Sequence, residues 1–180
     1  MGARATYRAS DVCDAADIKR VTLNAWRSRP LYGESDKFGP RILSIKAEDG
    51  WTEYSEGEAL KVCVLARLVE DGLDLRLAAR FLDGLNERFE SEDGSKSFRA
   101  LDVMSAEKPL FAVIFNIRVK NLKPGHPAPF EVRWSSSERG ARDMARKATK
   151  EGNAVSVLID LGMIAKASLK SLRKESPTNG

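Results

Sequence analysis

A chain of 180 residues suffices for one large domain or two small ones, each with a sizeable core. With 42% apolar and 31% charged residues, global disorder is excluded, and no apolar run approaches the roughly 20 residues that cross a bilayer. Two cysteines, Cys13 and Cys63, and a single histidine leave no disulfide framework, no zinc-type spacing and few acid–base constellations. Arg4 and Arg8 are not followed by the apolar core of a signal peptide, so a reduced, cytoplasmic protein is expected.

The net charge of +4 is unevenly spread: about +1 over residues 1–55, −5 over 56–93, +1 over 94–117 and +7 over 118–180. Between Lys19 and Arg29 lie Lys19, Arg20, Arg27 and Arg29 with no acid. A compact basic stretch beside acidic neighbours points to a local anion-binding face.

In chain order, Ser10 is positioned to cap a short helix over 11–16, and Asp17-Ile18 reads as a tight turn. A second helix, from about Lys19 to Ser28, turns Thr22, Leu23 and Trp26 inward and stops at Pro30. Helix, turn and helix make a helix-turn-helix unit. The segment Arg41–Lys46 is expected to pair with residues 51–54 as a hairpin. Ser55 and Glu58 have the spacing of a capping box, opening a helix that runs to Gly72. A further apolar stripe, Leu77, Ala78, Phe81, Leu82, Leu85 and Phe89, predicts a helix over 75–89. The polar stretch 91–97 reads as a linker between a domain at 5–90 and a second at 98–175, with 176–180 as a tail. In the second, residues 110–119 predict a mostly buried strand, 130–134 its return, 138–150 a basic helix, 154–159 a strand and 161–172 a final helix. No internal repeat is apparent.

Three segments follow one another in a recognisable order: Tyr7-Arg8-Ala9-Ser10-Asp11-Val12, then Ile18-Lys19-Arg20-Val21-Thr22-Leu23-Asn24-Ala25-Trp26, then Gly50-Trp51-Thr52-Glu53-Tyr54-Ser55-Glu56. With the downstream stretch from Leu65 through Gly72 to Leu75, they resemble the DNA-binding module of MerR-type regulators over roughly residues 7–85. The resemblance implies a winged helix-turn-helix in a dimeric double-stranded DNA-binding protein, its second helix in the major groove and its wing on the backbone. The expected fold class is therefore α+β, a MerR-like winged helix-turn-helix followed by a small α/β domain. Arg20 and Asn24, four residues apart, are the expected base readers, since Arg pairs with guanine and Asn with adenine. Lys19, Arg27 and Arg29 are expected on phosphates, with Arg41, Lys46 and Tyr54 contacting the backbone from the wing. The chain departs from the family pattern at Lys19, Val21 and Thr52.

The bland readings place Val12, Ile18, Leu23 and Trp26 in the core and make both cysteines buried small hydrophobes. The cations Arg139, Arg142, Arg146, Lys147 and Lys150 form either a second phosphate-binding face or a solvated surface. No phosphate loop, nucleophile elbow, metal site or cofactor signature is found, so an enzyme is not expected. The function expected is sequence-specific transcriptional regulation by a nucleoid-associated homodimer, with effector and operator unspecified. Residues 110–119 are a candidate strand for pairing across a subunit interface. The alternatives are a phage-type excision or architectural DNA-binding factor, and a protein-interaction or ligand-sensing adaptor whose helix-turn-helix does not bind DNA.

Overall fold

The computed structural model describes residues 6–29, 53–86, 88–90, 97–116, 130–151 and 154–175. Helices and short antiparallel strands are interspersed along the chain, an α+β arrangement. It divides into two compact units, Met1–Asn86 with Ile164–Gly180, and Glu87–Met163. No described helix is long and apolar enough to cross a membrane.

The first unit opens with β1 (Thr6–Arg8), which feeds directly into α1 (Ala9–Ala16). The helix begins earlier than Ser10 capping would allow. Asp11, at its third position, accepts the Arg8 backbone N–H at 2.8 Å and closes the first turn. At the other end Asp17 adopts φ 51°, while the Ile18 and Asp17 N–H groups donate to the Cys13 and Asp14 carbonyls. That is a Schellman closure, with aspartate where glycine is commoner. Next comes α2 (Arg20–Ser28), which buries Leu23 and Trp26 and leaves Thr22 half-buried.

Residues 30–52, including the expected hairpin strand at 41–46, lie outside the described residues. β2 (Glu53–Ser55) pairs antiparallel with β1. Ser55 then caps α3 (Glu56–Glu70): its hydroxyl accepts the Glu58 N–H, and the Glu58 carboxylate accepts the Ser55 N–H at 2.8 Å. This is the capping box expected from the spacing. Gly72, at φ 91°, ends the helix in a second Schellman turn, its N–H and that of Leu73 reaching back to Val69 and Leu68. Asp74 caps α4 (Leu75–Gly84) by accepting the Arg76 and Leu77 N–H groups. The helix stops at Gly84, short of the expected residue 89, because Leu85 and Asn86 turn back onto the Leu82 and Asp83 carbonyls. Leu85 nevertheless stays in the core.

The second unit starts with a hairpin, β3 (Arg88–Glu90) against β4 (Ser97–Arg99), placing Phe89 opposite Phe98. Phe89, expected on the α4 stripe, instead packs against the Trp134 ring, with centroids 4.4 Å apart and planes tilted by 43°. The short α5 (Ala100–Ser105) follows. A three-stranded sheet is then built from β5 (Phe111–Asn116), β6 (Phe130–Ser135) and β7 (Ala154–Asp160), in the order β6-β5-β7 with all pairings antiparallel. α6 (Glu138–Lys150) connects β6 to β7 and lays Ala141 and Ala148, with half-buried Met144 and Ala145, on Val113 and Phe115 of β5. β5 is the central strand and both of its edges are already paired, so residues 111–116 do not offer the free edge expected for pairing across a subunit interface.

α7 (Leu161–Glu175) starts where Asp160 accepts the Met163 N–H. Its later residues Ala165, Ser168, Leu169 and Leu172 form one buried stripe at helical spacing. Arg173 reaches Glu56 at 3.6 Å, and the Tyr7 hydroxyl donates to the same carboxylate at 3.5 Å. These contacts belong to the first unit, which takes in α7 from Ile164 onward, although the sequence assigned residues 164–175 to the domain at 98–175. The break between units falls at Asn86/Glu87, and the expected linker is outside the described residues over 91–96.

A short repeat also emerges. Tyr7-Arg8-Ala9-Ser10-Asp11-Val12 and Phe98-Arg99-Ala100-Leu101-Asp102-Val103 each carry a strand straight into a helix. Both helices close through an acidic residue at positive φ, Asp17 at 51° and Glu107 at 53°, with matching reach-back hydrogen bonds. The match spans too few residues to stand out along the chain; the shared strand-to-helix order and the matching helix exits reveal it.

Candidate DNA interface

The face of interest lies on α2. At about 100° per residue, Arg20, Asn24, Ser28, Val21 and Ala25 share an arc of roughly 140°. All five are exposed, whereas Leu23 and Trp26 on the opposite arc are buried against the unit's interior. Arg27 sits at the border and is half-buried. The helix is therefore oriented by its apolar side, and the orientation brings Arg20 and Asn24 together on the exposed side.

Lys19 occupies the N-cap position of α2 in extended conformation. An ammonium cannot accept a hydrogen bond, and no side chain caps this end. The first-turn amides thus meet an electropositive surround of Lys19 and Arg20, with no acid in the first turn to offset it. Arg29 is exposed at the other end of the helix. The Asp17 closure and the one-residue spacer Ile18 hold this end of α2 close to α1.

Beneath the cations lie two protonated groups. The Tyr54 hydroxyl is pushed above the ordinary phenol value by burial, with Arg27 and then Arg20 pulling it back. Burial likewise raises the Cys13 thiol, against the opposing charge of Arg20. Arg20 therefore stands close enough to both side chains, and Arg27 to Tyr54, to act on them electrostatically.

Of the residues named from sequence, Lys19, Arg20, Asn24 and Arg29 are exposed on or beside α2, and Arg27 borders the same face. Arg41 and Lys46 lie outside the described residues. Tyr54 is a correction: it is fully buried, opposite Tyr7 in the β1–β2 ladder, and serves the core where a backbone contact was expected. The sequence reading named Val21 only as a departure from the family pattern and not as a site residue; it is 70% exposed on the Arg20–Asn24 face. Its position one residue from Arg20, about 100° around the helix, was the available signal.

Both cysteines are free and buried. Burial pushes the Cys63 thiol up to about 11 against a hydrogen bond from Ser168, which marks it as an inert packing residue. No protein-family model and no curated protein matches the chain.

Proposed function

We propose that the protein is a sequence-specific double-stranded DNA-binding transcriptional regulator, with its first unit acting as a MerR-like winged helix-turn-helix. The observation that carries this reading is the exposed Arg20–Asn24 pair on a nine-residue helix that contains no acidic residue. α2 enters the major groove by its N-terminal half. Arg20 takes a guanine edge, Asn24 an adenine edge, and Val21 supplies an apolar contact for a thymine methyl. Lys19, Arg27 and Arg29 hold flanking phosphates, and Arg41 and Lys46 reach the backbone from the wing. The protein works in the nucleoid as a homodimer on a two-fold site, without catalysis, metal or cofactor.

Fluorescence anisotropy on a labelled random-sequence duplex pool, across a salt series, tests the reading. Binding that weakens steeply with salt, and that loses its sequence preference in Arg20→Ala/Asn24→Ala, supports it. No binding near physiological salt overturns it. A second reading, a protein-interaction adaptor, draws on the exposed Val21, an apolar side chain at the centre of the same face. Under that reading the double variant is silent on DNA and Val21→Asp alone abolishes partner capture.

A further inference from the structure

We infer that α6 in the second unit is a separate, sequence-independent binding face for the phosphate backbone of duplex DNA. The inference rests on the DNA-binding reading above and adds a second contact to it. Arg139, Arg142, Arg146 and Lys150 follow one another at intervals of three or four residues and are all exposed. On a helix they fall within an arc of about 80° and extend about 16 Å, close to the rise of five base pairs. Lys147 lies about 60° beyond that arc and is also exposed.

The opposite side of α6 is committed. Ala141 and Ala148 are buried against Val113 and Phe115, which fixes the cationic stripe outward. Arg139, Arg142 and Arg146, with Glu138 and Asp143, line a shallow groove of about 380 Å³. The two acids sit on the flanks: Glu138 pairs with Arg142, and Asp143 with Arg146 at 3.4 Å. Both pairs are more than half exposed, so they are weak and exchange readily for a phosphate. Arg139, Lys147 and Lys150 have no ion-pair partner among the described residues.

The chemistry selects nucleic acid over a lipid surface. Three of the four stripe cations are guanidinium groups, which match phosphate oxygens two at a time. An interfacial membrane helix needs large apolar residues beside its cations, but every exposed α6 side chain is polar or charged. The apolar side of the helix is spent on the sheet.

The test compares the full-length wild type with Arg139→Gln/Arg142→Gln/Arg146→Gln on a random-sequence duplex at several salt concentrations. Gln keeps helix propensity at exposed positions, and circular dichroism checks the fold. A control, Arg76→Gln/Lys166→Gln/Lys170→Gln, removes the same charge from exposed positions on α4 and α7. The expected result is at least a tenfold loss of affinity, with the log–log salt slope reduced by about 2–3 in the α6 variant. The control shifts the slope by less than about 1, and the sequence preference of the α6 variant is unchanged. If the wild type binds duplex and the α6 variant matches the control, this inference fails while the DNA-binding reading stands. If the wild type binds no duplex, or binds only anionic phospholipid vesicles, both fail.

Discussion

Tyr7 and Tyr54 face each other across the β1–β2 ladder, both almost fully buried. One lies two residues before α1, and the other immediately precedes the Ser55 cap of α3. The pair therefore ties the start of α1 to the start of α3. The two hydroxyls differ. That of Tyr7 donates to Glu56, whereas that of Tyr54 is buried near Arg27 with no well-formed hydrogen bond among the described residues. Truncating the ring in Tyr54→Ala should cost about 3–5 kcal/mol in urea unfolding. Tyr54→Phe should stay within about 1 kcal/mol of wild type, since the hydroxyl has no well-formed hydrogen bond among the described residues to lose.

Three glycines give three different outcomes for one substitution. A methyl group at Gly162 would lie 2.9 Å from the Lys108 carbonyl oxygen and 3.0 Å from the Leu110 nitrogen, both backbone atoms. Gly162→Ala should therefore destabilise by about 1–3 kcal/mol. Gly72→Ala meets no neighbour but must adopt φ 91°, at a cost of about 1–2 kcal/mol. At Gly84, in a helical turn with open space around it, the same change should stabilise by about 0.4–1 kcal/mol. Thermal or urea unfolding of the three variants checks the order.

The α3 capping box is a third local test. Ser55→Ala removes the acceptor for the Glu58 N–H and leaves the carboxylate bond to the Ser55 backbone in place. A loss of about 1 kcal/mol is expected, and a loss below about 0.3 kcal/mol would mean that α3 is held by packing alone.

Cys63 makes stability depend on alkaline pH. Its thiol is raised to about 11 in the folded chain from an ordinary value of 9.0. Below pH 9 the thiol is neutral in both states, and its contribution of about 3 kcal/mol is fully present. As pH rises from 9 to 11 the unfolded chain ionises first, and the contribution is lost. Between pH 8.5 and 10.5 the wild type should lose about 2 kcal/mol more than Cys63→Ala in urea unfolding. Equal losses would show that the thiol ionises freely in the fold.

Long, strongly patterned elements were legible in the sequence. α6 runs from Glu138 to Lys150 as its alternation of alanine and cations indicated, and the Ser55–Glu58 spacing located the start of α3. Short elements were not. β1 and β2 are three residues each, too short to display a period, and the pairing of Tyr7 with Tyr54 exists only in three dimensions. The α4 stripe misled at Phe89 because an apolar residue at helical spacing serves equally well in a hairpin packed on Trp134. Within the candidate interface, helical spacing was enough to put Arg20 and Asn24 together. The burial of Tyr54 was not legible, because an aromatic residue in a polar segment suits either a surface or a core.

Sequencing the duplexes enriched from a random library by wild type, Arg20→Ala and Asn24→Ala tests whether α2 reads bases. A defined motif is expected for the wild type. Arg20→Ala should relax the preference for guanine at one position and Asn24→Ala that for adenine at another, each by about 1–3 kcal/mol. A wild type that enriches no motif, or variants that enrich the wild-type motif at full strength, would contradict it.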